Sequence, residues 1–274
     1  MDGGIFDLLL DGLPLWAVGI LMVALCLLAR RGGMLLRAKY APDSAPAEAS
    51  DANDYIIGAI FGLLAFMLAL TFSIAIERFD SRRALVSEEA NAIRSLYVTA
   101  QILDEPYSGN IRGSLHEYAQ TRIAPRGLWS GDHDQKLGQS RQLRLVLARQ
   151  VQAAVMPIRD TDLATYLIET TNEMLSVGSR RELLARAHIP TRILDVLMLY
   201  TLASATVLGF LVSGTRPGTR HASNILLLLY CIAFLLIIDL DRPRAGTVKV
   251  PQTALEELLL QLDALEGPDT DKSR

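Results

Sequence analysis

Enzyme signatures are missing from this chain of 274 residues. It has no Walker loop, no His-Glu-x-x-His, no Gly-x-Gly-x-x-Gly following a strand pattern and no Ser-His-Asp order. Those absences remove the common routes to nucleotide, metallopeptidase and acyl-transfer chemistry, and no cofactor is expected. Cysteine is scarce: Cys26 and Cys231 both fall inside apolar runs, which excludes a secreted disulfide framework and a cysteine metal site. No Lys or Arg precedes Arg30, whereas Asp2, Asp7 and Asp11 do. A secretory signal wants a basic start, so the N-terminus is expected to stay as a membrane span. Stacking aromatics are lacking and the net charge is only −3, so nucleic acid is not an expected partner. No strand-rich region and no internal repeat stands out.

Apolar runs are what the chain has in quantity. The most informative is Tyr55 to Ile76, which contains no charge. At 1.5 Å per residue it is about 33 Å long, enough to cross a hydrocarbon core of roughly 30 Å. Three further runs are Leu13 to Ala29 with Trp16 near its start, Ile193 to Val212, and Asn224 to Leu240. The uninterrupted part of the last, Ile225 to Ile238, is short for a span. It reads either as a re-entrant segment or, because its neighbour ends nearby at Gly214, as one arm of a tight helical hairpin. The second run continues through Glu77-Arg-Phe-Asp-Ser-Arg-Arg83 without Gly or Pro, and its helical pattern persists to about Leu103. The expectation is an all-α integral membrane protein with four transmembrane helices and a helical extramembrane domain continuous with the second span.

The organisation follows from these runs. Residues 1–29 hold the N-terminus and first span, and 30–54 form a mobile loop, small, acidic and Pro-containing in its second half. Residues 55–76 are the second span, 77–192 the helical extramembrane domain, 193–212 the third span and 224–240 the fourth. Residues 241–274 supply an extended piece, an amphipathic helix and a disordered tail from Glu266. Within the extramembrane segment, four stripes recur at helical spacing. They are Val86, Ala90, Ile93, Tyr97 and Ala100; Ile111, Leu115, Tyr118 and Ala119; Leu143, Val146, Gln150 and Ala154; and Leu163, Leu167, Thr170, Met174 and Val177. Ala124 to Gln139 is expected to be a loop. Near the span ends the side holding 77–192 and the C-terminus is richer in Arg and Lys, which favours a cytoplasmic domain. The first span, with its basic residues all after it, argues the opposite.

Three constellations carry candidate function. Gly58, Gly62, Ala65, Ala69 and Ser73 form one small-residue face on the second span, suited to close helix packing within the chain or around a symmetry axis. Beside it, Ala59, Leu63, Met67 and Ile74 form an apolar line that faces either lipid or a conduit gated by dewetting. Glu77, Arg78, Arg82 and Arg83 leave the second span where Asp239 and Asp241 leave the fourth. They read as an interfacial salt-bridge cluster or as a charged vestibule for ions. The sequence Gly131-Asp-His-Asp134 reads as a divalent-ion loop or a solvated turn, and the four histidines are otherwise scattered. No metal site is expected.

The run Leu64-Ala-Phe66, Ala75-Ile-Glu-Arg78-Phe79, Arg82-Arg83 and Asn91-Ala-Ile-Arg94-Ser-Leu96 resembles the bestrophin-like bacterial membrane protein family, a domain of unknown function with four spans. Val86-Ser-Glu-Glu-Ala-Asn-Ala92 is similar to that family's Val-x-x-Glu-Ala-x-Ala stretch, and Asp241-Arg-Pro-Arg-Ala-Gly246 to its closing element. The resemblance to bestrophin channels themselves is more distant: Arg78-Phe79 stands where they carry Arg-Trp, and the second Trp is absent. The resemblance implies a pentameric homo-oligomer with an ion pore lined by the second span. Ala59, Leu63 and Met67 would be its neck, and residues 77–192 would be cytoplasmic.

The expected function is therefore an oligomeric ion channel of a bacterial inner membrane, with lipid, other copies of the chain and inorganic ions as its partners. The alternative is a non-conducting membrane scaffold or sensor whose helical domain binds a partner. No enzyme is expected.

Overall fold

The computed structural model describes residues 13–40, 51–123, 131–213, 217–242 and 247–266, with the side chains of 51–54, 131–134, 217 and 266 excluded. It contains α1 (Leu15–Tyr40), α2 (Asp51–Ala100), α3 (Tyr107–Arg122), α4 (Gly131–Val155), α5 (Asp162–Arg186), α6 (Thr191–Val212), α7 (Pro217–Asp241) and α8 (Thr253–Glu266). A single 3-10 turn, Met156–Ile158, follows α4. No strand occurs among the described residues. The chain divides into two units, one formed by 1–79 and 188–249, the other by 80–187 and 250–274.

The first unit gathers α1, the N-terminal part of α2, α6 and α7, among the described residues the four helices long and apolar enough to cross a membrane. Each contributes a periodic buried stripe. On α1 it is Val18, Met22, Cys26, Arg30 and Gly33. On α2 it is Phe61, Leu64, Leu68, Thr71 and Ala75, spaced alternately by three and four. On α6 it includes Leu194, Leu197, Thr201, Ser204, Ala205, Leu208 and Gly209. Their outer faces are apolar too: Trp16, Ile20, Val196, Leu199, Ile225 and Leu229 are all exposed. A surface of this kind is stable only where hydrocarbon replaces water. This is a multi-pass integral membrane protein. The last span is a full helix of 25 residues, so the re-entrant alternative falls away.

Two boundaries differ from the sequence expectation. α1 does not end at Ala29 but continues through Arg30-Arg-Gly-Gly33 to Tyr40. Gly32 and Gly33 sit inside a helix stabilised by its packing on α6. Gly131 to Gln139, expected as loop, is the start of α4, where good helix formers such as Gln135, Lys136, Leu137 and Gln139 outweigh Gly138. The expected disorder from Glu266 onward lies outside the described residues beyond Glu266 itself, which ends α8.

The second unit is built on the C-terminal part of α2. That helix runs unbroken for 50 residues. Nothing between Glu77 and Ala100 interrupts it, and it ends shortly before Pro106. The stripe Val86, Ala90, Ile93, Tyr97 and Ala100 is buried, as are Ile111, Leu115, Tyr118 and Ala119 of α3. Leu167, Thr170, Met174 and Val177 of α5 are buried as expected, while Leu163 is only half-buried. α4 turns a different line inward: Leu143, Leu147, Val151 and Ala154 are buried, and Val146 is exposed. Two apolar lines compete on that helix, and the fully aliphatic one is worth more per side chain than a line containing Gln150.

Local chemistry sets the helix ends. Thr161 caps α5 by accepting from the Ala164 amide at 3.3 Å, with Asp162 in the favourable first turn. At the other end of α5, Arg82 donates to the carbonyls of Leu184 at 3.2 Å and Ala187 at 2.6 Å. α8 docks through Leu255, Leu258 and Leu262, all fully buried, each contributing about 2 kcal/mol of transfer free energy. His116 meets Asp263 at 2.8 Å on the same helix.

Candidate functional site

The N-terminal part of α2 has one face turned inward and one left open. Burial of Phe61, Leu64, Leu68, Thr71 and Ala75 fixes which is which. Gly58, Ala59, Gly62, Ala65, Ala69 and Ser73 are all exposed in the protomer. A methyl group added at Gly58 or Gly62 would meet nothing within 4 Å. With 3.6 residues per turn, the direction opposite the buried stripe carries Ser73, Phe66, Gly62 and Ala59, with the other small residues on one flank. Leu63 and Met67, 45% and 38% exposed, occupy the other flank. They border a groove of about 520 Å³ together with Thr71 and with Arg192, Ile193, Val196, Leu197 and Tyr200 of α6. The Thr71 hydroxyl is satisfied within α2, donating to the Met67 carbonyl at 2.8 Å. The groove is thus apolar apart from Arg192 at one end.

Two tyrosines hold this part of α2. Tyr200 of α6 donates to the Ile60 carbonyl and Tyr230 of α7 to the Phe61 carbonyl, each at 3.2 Å. The Phe61 and Tyr230 rings lie 5.5 Å apart. Both hydroxyls are thereby satisfied where lipid offers no partner.

The charged residues at the helix exits have separate tasks. Asp239 accepts from the backbone amides of Thr247 and Val248, and so fastens the chain after α7. Asp241 accepts from the Ile189 amide at 3.0 and 3.1 Å and lies 3.6 Å from His188, which fastens the chain before α6. Glu77 and Arg83 are exposed, and Arg78 is half-buried. The backbone of Gly131-Asp-His-Asp134 forms the first turn of α4, and its side chains lie outside the description. Among the described residues no group of three His, Cys, Asp or Glu gathers as a metal ion would require.

Three features escape sequence reading. The first is the crossing of α1 and α6. A methyl group at Gly33 would fall 1.9 Å from the Thr206 carbonyl oxygen, and one at Gly209 would fall 2.0 Å from the Arg30 carbonyl oxygen. The second is the proximity of Cys26 and Cys231, whose sulfurs are 3.7 Å apart, buried between α1 and α7. The third is a charged core in the second unit. Glu89 is completely buried and accepts from Tyr118 at 2.7 Å, from Arg122 at 2.7 Å and from Arg181 at 2.5 Å. Arg181 also reaches Gln252 at 2.8 Å and the Arg122 carbonyl. Burial alone would raise the Glu89 carboxyl, but the charges of Arg122 and Arg181 and the hydrogen bonds outweigh it and hold it below the ordinary carboxylate value. Burial, then the Glu89 charge, pushes the Tyr118 phenol up. A signal for Glu89 exists: it stands at helical spacing with Val86, Ile93 and Leu96 inside an apolar stripe.

A family model described as Bestrophin-like domain matches residues 23–255. No curated protein sequence matches the chain. Among solved structures, a bacterial Bestrophin homologue from Klebsiella pneumoniae, phased on zinc, matches with a TM-score of 0.63 at 18% identity, covering 90% of this chain and 97% of its own. One point mutant of a Klebsiella pneumoniae homologue matches with a TM-score of 0.66 at 18% identity, over 89% of this chain and 98% of its own. Another gives 0.67 at 15% identity, over 91% and 99%. At such identities the likeness is one of fold.

Proposed function

Because the chain belongs to the bestrophin-like family, we propose that it is an ion channel in which copies of the chain assemble around the open face of α2. The observation that carries this reading is that face itself. Gly58, Gly62, Ala65, Ala69 and Ser73 are aligned for close helix approach, and among the described residues none fills the space over the two glycines. A face of small residues left empty within one chain supports contact with a neighbouring copy, because close packing drives helix association in lipid. The adjacent apolar residues would then surround the axis. Ala59, Leu63 and Met67 form the neck, with Leu70 between them and Phe66 next to Ala59 on the same open arc. Rings of apolar side chains pass ions only when wetted, so the neck acts as a gate rather than a binding site. Glu77 and Arg78, where α2 leaves the membrane, form a charged mouth, whereas Asp239 and Asp241 are occupied in holding backbone amides. The membrane is a bacterial inner membrane, the second unit is cytoplasmic, the assembly is a homo-oligomer of five by resemblance, and no catalysis is involved.

Purified protein reconstituted in planar bilayers is expected to give discrete conductance steps, altered by Leu63→Ala or Met67→Ala. Silence at all voltages from a folded sample, or a monomeric mass in detergent, overturns the channel and favours a scaffold whose helical unit binds a partner.

A further inference from the structure

The membrane unit contains a buried cation with too few partners. Arg30 lies on the inward stripe of α1 and is only 7% exposed. One terminal nitrogen donates to the Asn224 side-chain oxygen of α7. Its Nε is buried and has no hydrogen-bond partner. Among the described residues no carboxylate pairs with it, and the nearby charge it does feel is a second cation, Arg220, one turn before Asn224 on α7. The Arg30 backbone lies against Gly209 at the α1–α6 crossing, so shifting α1 to expose the guanidinium would break that close contact.

Depth identifies the surroundings. Gly209 is three residues from the end of α6, and Asn224 opens the long apolar run of α7. Arg30 therefore sits at the edge of the hydrocarbon, at the level of the lipid headgroups. Arg37, two turns on, donates to the Phe210 and Leu211 carbonyls at the end of α6, at 3.2 and 3.1 Å. That arginine is provided for by the chain and Arg30 is not. A buried guanidinium whose Nε lacks a partner, within electrostatic range of a second cation, is costly at the edge of a low-dielectric medium. An oxyanion that accepts from both would remove the cost, and a guanidinium fork matches phosphate oxygens in particular.

We propose that Arg30, Arg220 and Asn224 form a binding site for a phosphate-class oxyanion at the bilayer boundary, supplied by an anionic lipid headgroup or by free phosphate. Asn224 orients the Arg30 fork through its side-chain oxygen. Arg220, exposed on α7, closes over the anion from the water side. The site lies between α1 and α7 and does not depend on conduction.

The test uses the full chain, purified and then exchanged into lipid nanodiscs or mild detergent. Phosphatidylglycerol is expected to be retained in native mass spectra and to raise the unfolding temperature, while phosphatidylcholine does neither. Arg30→Gln and Arg220→Gln are each expected to weaken that binding about tenfold or more, as for loss of a charged hydrogen bond. Arg31→Gln, on the exposed side of α1, leaves it unchanged. Sodium phosphate is compared with sodium chloride at equal ionic strength. Protection by phosphate alone identifies the free anion as ligand, and protection by phosphatidylglycerol alone identifies the lipid. If Arg30→Gln does not fold, Arg220→Gln decides, since its side chain is on the surface. Equal binding of the anionic and zwitterionic lipids with no effect of phosphate overturns the proposal. So does undiminished binding in Arg220→Gln.

Discussion

The glycines of α1 and α6 and those of α2 lie in the same membrane unit and are put to opposite uses. Gly33 and Gly209 have another helix's backbone against them, at distances no side chain could share. Gly58 and Gly62 have none of the described residues over them. Small residues in a membrane helix thus mark a place where backbones must come close, without saying whose. Where the partner belongs to the same chain, the contact is complete and the position cannot change. Where none is present, the surface is left for something outside the protomer. The second unit resembles the closed case: Gly178 leaves room for the Tyr118 hydroxyl, 2.5 Å from where a methyl group would lie, and for Glu89.

The contrast can be broken first at its most tightly filled point. Glu89→Ala would strand Arg122 and Arg181 in the interior and is expected to cost about 3–5 kcal/mol of stability in the second unit, read by chemical denaturation. The native carboxyl titrates below its ordinary value of 4.5, so the unfolded chain takes up the proton first. Its contribution is fully present above that pH and is lost as the pH falls through the lower, folded value. Denaturation midpoints should therefore drop on acidification in the wild type and drop less in Glu89→Gln; parallel curves would show that this carboxyl does not govern acid sensitivity.

Next in size, Gly33→Ala and Gly209→Ala force two backbones apart and are expected to cost about 3 kcal/mol each, seen as a lower unfolding temperature in detergent. The smallest effect sharpens the comparison most. Gly58→Ala and Gly62→Ala should leave the protomer unchanged or gain up to about 1 kcal/mol of helix propensity. The same changes should lower the fraction of oligomer measured by mass. A loss of protomer stability like that at Gly33 would erase the distinction between the open and closed faces.

Much of the fold could be read because burial imposes a period on the chain. The charge-free run before Glu77 and the stripe from Val86 to Ala100 each needed only local spacing. α4 could not be settled that way, since two rival lines diverge after Leu143, through Val146 or through Leu147, and only the neighbouring helices choose between them. The small-residue face of α2 was visible as an alignment. That it stands open depends on where α6 and α7 pass, which no local pattern encodes. Arg30 is the sharpest case. After an apolar run it looks like an ordinary boundary charge, and its burial follows from a glycine nearly two hundred residues away on α6.

Tyr200 and Tyr230 grip consecutive carbonyls of α2, and consecutive residues point roughly 100° apart around a helix. Two such grips act as a torsional brake. Spinning the helix about its own axis would break both bonds and leave hydroxyls bare in hydrocarbon, at about 1 kcal/mol or more for each. The azimuth of α2 is therefore set, and any stimulus that changes what its outer side presents must carry the helix bodily with α6 and α7, by tilt or by sliding.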